Sequence, residues 1–247
     1  MSMQTGPKII TDGLVLALDA ADLGSYPGAG TAWYDLTGNG NNGTINLGEY
    51  VSSPEGGYLR NVNNTSSLFY VGISNSTSIS NTFSVTTGGW TIEEIIWTNS
   101  VVYPEADAGG VGSINAGFTG FDWNHGITNT SFRFGQSSNS SGTYQDDGTF
   151  VVGSPYNSLN AWRIRTIIWN RGSNLNSLYI NGTFINSLST TNTSGMAIYD
   201  GGGIVFGALY GWNHYGRRAA IKIYNRVLSA TEVLQNYKAL KPRFKLN

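Results

Sequence analysis

The 247-residue chain has only two histidines, and each closes the same triplet: Trp123-Asn124-His125 before Gly126, and Trp212-Asn213-His214 before Tyr215 and Gly216. Those side chains suit a saccharide. An indole presents a flat apolar face to sugar C–H groups, while an amide and an imidazole exchange hydrogen bonds with hydroxyls. A neutral sugar asks for no strong charge from its site, and only 12% of this chain is charged. The competing reading makes each Trp a lid on an open end of the fold and the repeat a product of an Asn-rich composition. Both readings stay open at this level. Tyr103, Tyr144 and Tyr156 are further aromatic candidates in glycine-punctuated loops.

Acid chemistry is harder to assemble. Retaining glycoside hydrolysis needs two carboxylates about 5 Å apart. Glu93 and Glu94 are adjacent in a run that alternates like a strand, so they point to opposite faces, and their same-face neighbours are Ile95 and Ile96. Asp146-Asp147 lies in a polar, glycine-flanked stretch where a solvated turn is the simpler reading. Asp35, Asn39 and Asn41 form the candidate cation site, because calcium takes carboxylate, amide and carbonyl oxygens. The twelfth position from Asp35 is Asn46, so no glutamate closes a helix-loop-helix calcium loop here. The alternative is that these three side chains bond nearby backbone and build the turn.

Strands must position these residues. Leu14 to Asp19, Trp90 to Trp97, Trp162 to Asn170, Leu178 to Ile180, Ile204 to Ala208 and Arg217 to Tyr224 carry the period of two or the apolar runs of strands. Leu68 to Ile73 and Thr82 to Thr86 are shorter β-like pieces. Trp90 to Trp97 is apolar on both faces, as in an interior strand, whereas Ala219, Ile221 and Ile223 read as the buried side of a half-buried one. Asn181-Gly182 between Ile180 and Thr183 signals a tight hairpin into Thr183 to Ile185. After the last strand, Ser229 stands three residues before Glu232 as a capping box. The spacing predicts a helix over 229–241, with Val233, Leu234, Tyr237 and Leu240 on its packed stripe and Pro242 ending it. The reading is one domain over 1–247: a sandwich over 12–228, the helix over 229–241 and a basic tail over 242–247.

The run I-K-I-Y-N-R-V-L-S-A-T-E from Ile221 to Glu232 resembles the closing segment of the concanavalin A-like lectin/glucanase superfamily, in the laminin-G-like branch met in bacteriophage virion proteins. Gly13 to Ile45, with D-A-A-D-L-G-S-Y-P-G and W-Y-D-L-T-G-N-G-N-N-G, is similar to the opening of those domains. Gly89 to Trp97 and Leu178 to Ile185 are weaker matches in the expected order. The resemblance implies an all-β fold, an antiparallel β-sandwich of jelly-roll type with a short C-terminal α-helix. It further implies a virion module of a phage, decorating capsid, tail or fibre, whose partners are other virion proteins or further copies of itself and, for an adhesion module, host cell-surface polysaccharide. A subunit-contact domain without glycan binding is the alternative. A polysaccharide hydrolase is the less favoured one, because glucanases of this superfamily align their acids as E-x-D-x-E on one strand and Glu93-Glu94 lacks that spacing. Laminin-G-like relatives often hold calcium, the one cofactor the resemblance suggests.

Composition bounds the rest. Low charge with 13% aromatic residues argues against a disordered chain, and 33 glycines beside abundant Asn, Ser and Thr fit a loop-rich β protein. A net charge of -1 gives no footprint for nucleic acid or for an anionic membrane. With no cysteine there is neither a disulfide framework nor a thiolate metal site. No signal peptide and no eighteen-residue apolar span is expected, which suits a virion part assembled in a host cytoplasm and an ordinary cytosolic protein equally well. Sequons at Asn64, Asn75, Asn129, Asn139 and Asn181 are expected by chance in so Asn-rich a chain.

Overall fold

The computed structural model describes residues 7–54, 56–61, 69–74, 76–84, 87–98, 110–113, 120–121, 131–137, 144–156, 160–190, 204–207 and 216–246. The strands are β1 (Leu14–Asp19), β2 (Ala32–Trp33), β3 (Gly43–Asn46), β4 (Gly48–Val51), β5 (Tyr58–Asn61), β6 (Tyr70–Ile73), β7 (Gly89–Thr98), β8 (Gly110–Ser113), β9 (Gly120–Phe121), β10 (Ser131–Ser137), β11 (Tyr144–Val151), β12 (Ala161–Asn170), β13 (Leu175–Ile180), β14 (Thr183–Ser189), β15 (Ile204–Gly207) and β16 (Arg217–Tyr224). Two helices, α1 (Thr77–Phe83) and α2 (Ala230–Phe244), complete the described elements.

All pairings are antiparallel and make two main sheets. The larger runs β14-β13-β12-β7-β16-β5-β4 with β1 also on β16, the smaller β2-β3-β6-β15-β8-β9, and β10-β11 is a separate ribbon. The sheets bury one core between them: Trp90, Ile92, Ile167, Trp169, Ile221 and Ile223 from the larger meet Trp33, Ile45, Val71, Ile73 and Phe206 from the smaller. Trp90 and Trp169 are register partners on β7 and β12, and their rings stack with centroids 6.0 Å apart. This is the expected β-sandwich with a C-terminal helix.

Strand β7 lies between β12 and β16, which makes it the interior strand its two apolar faces predict. The Asn181-Gly182 hairpin is also as expected, with both residues at positive φ, 51° and 75°. Strand β16, expected to be half-buried, is buried on both faces because α2 covers the outer side.

Three local expectations are corrected. Thr82 and Phe83, expected at the start of a strand piece, instead end α1, which Ser76 caps by accepting from the Ile79 amide at 3.2 Å. Ile79 and Phe83, four apart, both reach the core, where Phe83 meets Trp90 at 5.3 Å, and that burial selects the helix over local β propensity.

The C-terminal helix has the expected capping box but continues through Pro242 to Phe244 instead of stopping at 241. Proline removes one helical hydrogen bond and crowds the preceding turn. Here outside contacts hold that turn, so residues 242–244 are not a tail: Phe244 packs on Trp162 at 5.0 Å, Leu246 is buried in the same cluster, and Arg243 pairs with Asp19 at 2.6 Å. On the helix stripe, Leu234 is 38% exposed while Asn236 is fully buried. The asparagine takes the position because its side chain accepts from the Ile10 amide at 2.8 Å and donates to Tyr224 Oη at 3.0 Å.

Candidate functional site

The two adjacent glutamates of β7 sit on opposite faces, as alternation requires, and both are structural. Glu94 faces the space between the sheets, where its carboxylate is paired with Arg165 from β12 and with Arg218 from β16, the latter at 2.9 Å. Burial alone would push its pKa up, but the two guanidinium groups overcome that and hold it below the ordinary carboxylate value. Glu93 faces α2, where it pairs with Lys222 at 2.9 Å and accepts from Asn236 at 3.3 Å. Beside it, burial first and the Glu93 charge second push the Tyr224 hydroxyl far up. Each glutamate is 1% exposed. Neither can meet a substrate, and neither forms a same-face acid pair.

The residues of the candidate calcium loop come together, and they bond one another and the backbone of β1. One Asp35 oxygen accepts from the amides of Ala17 and Thr37, both at 3.0 Å. The other accepts from the Thr37 hydroxyl at 2.7 Å and the Asn41 amide at 3.2 Å. Four donors fill the lone-pair sites of a carboxylate. Asn39 and Asn41 both donate their side-chain amides to the Val15 carbonyl, at 3.1 and 2.7 Å, and the Asn41 oxygen accepts from Ser76 and Ser78. Among the described residues no group of three or more Asp, Glu, His or Cys could hold a metal ion.

The two Trp-Asn-His triplets, residues 123–125 and 212–214, and Tyr215 with them, lie outside the described residues, as does Tyr103.

What the structure adds is an aromatic and cationic row at one end of the larger sheet. Trp162 is the register partner of Trp97, Trp97 of Arg217, Arg217 of Arg60 and Arg60 of Glu49, so one residue from each of β12, β7, β16, β5 and β4 lines up across five strands. Directly opposed residues of antiparallel strands share a face, here the outer face onto which α2 packs. The Arg217 guanidinium lies over the Trp97 ring at 3.9 Å and over the Tyr58 ring at 4.7 Å. Tyr58 meets Trp162 edge-on at 5.7 Å, and Trp162 meets Phe244 at the end of α2. Glu49 and Arg60 pair with each other at 2.9 Å in the open.

Beside this row opens a cleft of about 330 Å³, into which Trp97, Trp162 and Tyr156 bring aromatic surface and Asn160, Asn181 and Lys245 bring polar groups. Asn160, Asn181 and Lys245 all hold positive φ, so three tight backbone turns converge at its rim. Of these residues only Tyr156 is singled out by sequence as a binding candidate. Trp97 and Trp162 look in sequence like ends of core strands, and it takes the β7-β12-β16 register to set them beside Arg217.

No family model and no curated protein matches the chain's sequence. Solved structures do. The binding domain of Paraclostridial Mosquitocidal Protein 1 superposes with a TM-score of 0.66 at 22% identity over 91% of this chain and 52% of that one. The binding domain of Botulinum Neurotoxin DC in complex with SialylT gives 0.65 at 16% identity over 93% and 52%. Trypanosoma rangeli sialidase in complex with sialic acid gives 0.64 at 13% identity over 96% and 35%. The chain thus spans about half the length of these binding-domain structures, and likeness at such identities shows the fold, an antiparallel β-sandwich.

Proposed function

We infer that the chain is a non-enzymatic recognition module that holds a host-surface saccharide, carried on a bacteriophage virion as a decoration of capsid, tail or fibre. The observation that carries the recognition reading is the end of the larger sheet, where Trp97 and Trp162 flank a cleft rimmed by Asn160 and Asn181. Indole faces receive the C–H surfaces of a sugar ring, side-chain amides read its hydroxyls, and rigid strands hold both in place before the ligand arrives. SialylT and sialic acid are bound by two proteins that share the fold. The virion assignment rests on the resemblance of Gly13–Ile45 and Ile221–Glu232 to phage-type domains. The buried, ion-paired Glu93 and Glu94 favour binding over hydrolysis.

A subunit-contact role has its own candidate surface. Leu23, Tyr34 and Leu36 are 75%, 46% and 44% exposed on the loops after β1 and β2, which the Asp35 hydrogen bonds hold rigid. The two readings separate by experiment: alanine at Trp162 should abolish saccharide binding and leave particle assembly intact, and alanine at Leu23 with Leu36 should leave both binding and assembly unchanged if the contact role is absent. Trp212, joined to Arg217 in sequence through Asn213, His214, Tyr215 and Gly216, belongs in the same series, as do Trp123, Asn124 and His125.

A further inference from the structure

We propose that the saccharide held at this end of the sheet is an anionic one, and that Arg217 is the residue that receives its negative group. The proposal deepens the saccharide reading above and replaces the neutral sugar expected from the low overall charge.

The reason is how Arg217 is held compared with five other described arginines, each paired with a carboxylate; of the others, Arg163 is buried in β12 and Arg171 lies 5.7 Å from the Trp169 ring. Arg60 is paired with Glu49, Arg165 and Arg218 with Glu94, Arg226 with Asp12 and Glu232, and Arg243 with Asp19. Arg217 is held over the rings of Trp97 and Tyr58, and among the described residues no carboxylate pairs with it. A guanidinium lying over aromatic rings keeps its charge and directs its in-plane N–H groups sideways, where a carboxylate or sulfate can accept them as a fork.

The setting agrees in sign. Lys245 reaches the cleft, no Asp or Glu is among its described lining residues, and the single acid of the row, Glu49, is occupied by Arg60. A sugar ring against Trp97 or Trp162 would then place a ring substituent beside Arg217, since all three share one row and one face. Orientation by the rings lowers the entropic cost of forming the charged hydrogen bonds.

The test is calorimetric titration of the full chain with sialyllactose, trigalacturonate, 6-sulfolactose and lactose, at low and at high salt. The proposal expects at least one anionic probe to bind tenfold or more tightly than lactose, with that preference shrinking in high salt. Arg217→Gln should lower affinity for that probe by roughly ten- to a hundredfold, the range for lost hydrogen bonds to a charged group, while an unchanged melting temperature reports an intact fold. Arg217→Lys should restore only part of the preference. The carboxylate and sulfate arms identify which anion is read. If lactose binds as tightly as every anionic probe, or if Arg217→Gln leaves the preference untouched, the proposal is wrong and the saccharide reading stands. If none of the four binds and no other saccharide does, both fall together.

Discussion

The Arg217 guanidinium lies 3.9 Å from the centre of the Trp97 ring, a contact set by the antiparallel register of β16 on β7. The two residues are far apart in the chain, and each is ordinary in its own strand. Together with Trp162 they make the end of the larger sheet a prepared surface. The rest of the fold serves to hold that end rigid, through an ion-paired interior on one side of β7 and a clasped helix on the other.

The ion-paired interior is the first thing to test. Glu94→Gln would leave Arg165 and Arg218 as buried charges without their shared carboxylate, and breaking one side of such a buried set costs about 3–5 kcal/mol. Urea denaturation should show a loss of that size. A loss below 1 kcal/mol would mean that the arginines do not depend on Glu94. No polysaccharide should release reducing ends with the unmodified protein, since its buried glutamates cannot act on a substrate.

The entry to α2 should show a specific pH dependence. Hydrogen bonds from Arg226 above all, and from Ser229, hold the Glu232 carboxyl at about 2 instead of an ordinary 4.5. A depressed carboxylate stabilises the fold fully above its unfolded value and loses that contribution as pH falls through the folded one. The melting-temperature gap between the native chain and Glu232→Gln should therefore be constant above pH 5 and close between about pH 4.5 and 2. A gap that persisted unchanged at pH 2 would contradict the Arg226–Glu232 clasp.

Removing the cap at Ser229 with alanine should cost about 1 kcal/mol. Phe244→Ala should cost more, about 3 kcal/mol, because Phe244 is buried against Trp162 beyond the proline. Deleting 229–247 should hurt most, since it uncovers Ile95, Ile164 and Ala219 and opens the Glu93–Lys222 pair to water. Equal melting temperatures for the truncated and full chains would refute the packing of α2 on the sheet.

How much of this was readable beforehand follows from the range of each interaction. Ser229 and Glu232 are three apart and Asn181 and Gly182 adjacent, so cap and hairpin are legible in sequence and are found in place. Trp90 to Trp97 shows its interior position because burial on both faces leaves an apolar run. Asn236 in place of Leu234 was not readable, because its partners Ile10, Tyr224 and Glu93 come from distant segments. The helical turn beyond Pro242 depends likewise on Trp162 and Asp19. The site row needed five strands in register, which no local pattern encodes.

At the Asp35 loop the full set of donors makes a prediction about calcium. Asp35→Ala should lower the melting temperature by several degrees, as four hydrogen bonds to one charged group are lost. Neither chelator nor added calcium should move the melting temperature of the native chain. A calcium-dependent rise of several degrees would show that the cation displaces those donors.

The claim that this end of the sheet is a saccharide-binding surface is tested most directly by one titration series. The best saccharide from a glycan array is titrated into the native chain, Trp162→Ala and Asn160→Gly, with a melting curve for each. Asn160→Gly keeps the positive φ of 57° and removes only the amide, so it should retain the native melting temperature while affinity falls several-fold, and Trp162→Ala should lose at least tenfold. Native affinity in both variants, or no saccharide bound by the native chain, would contradict the account.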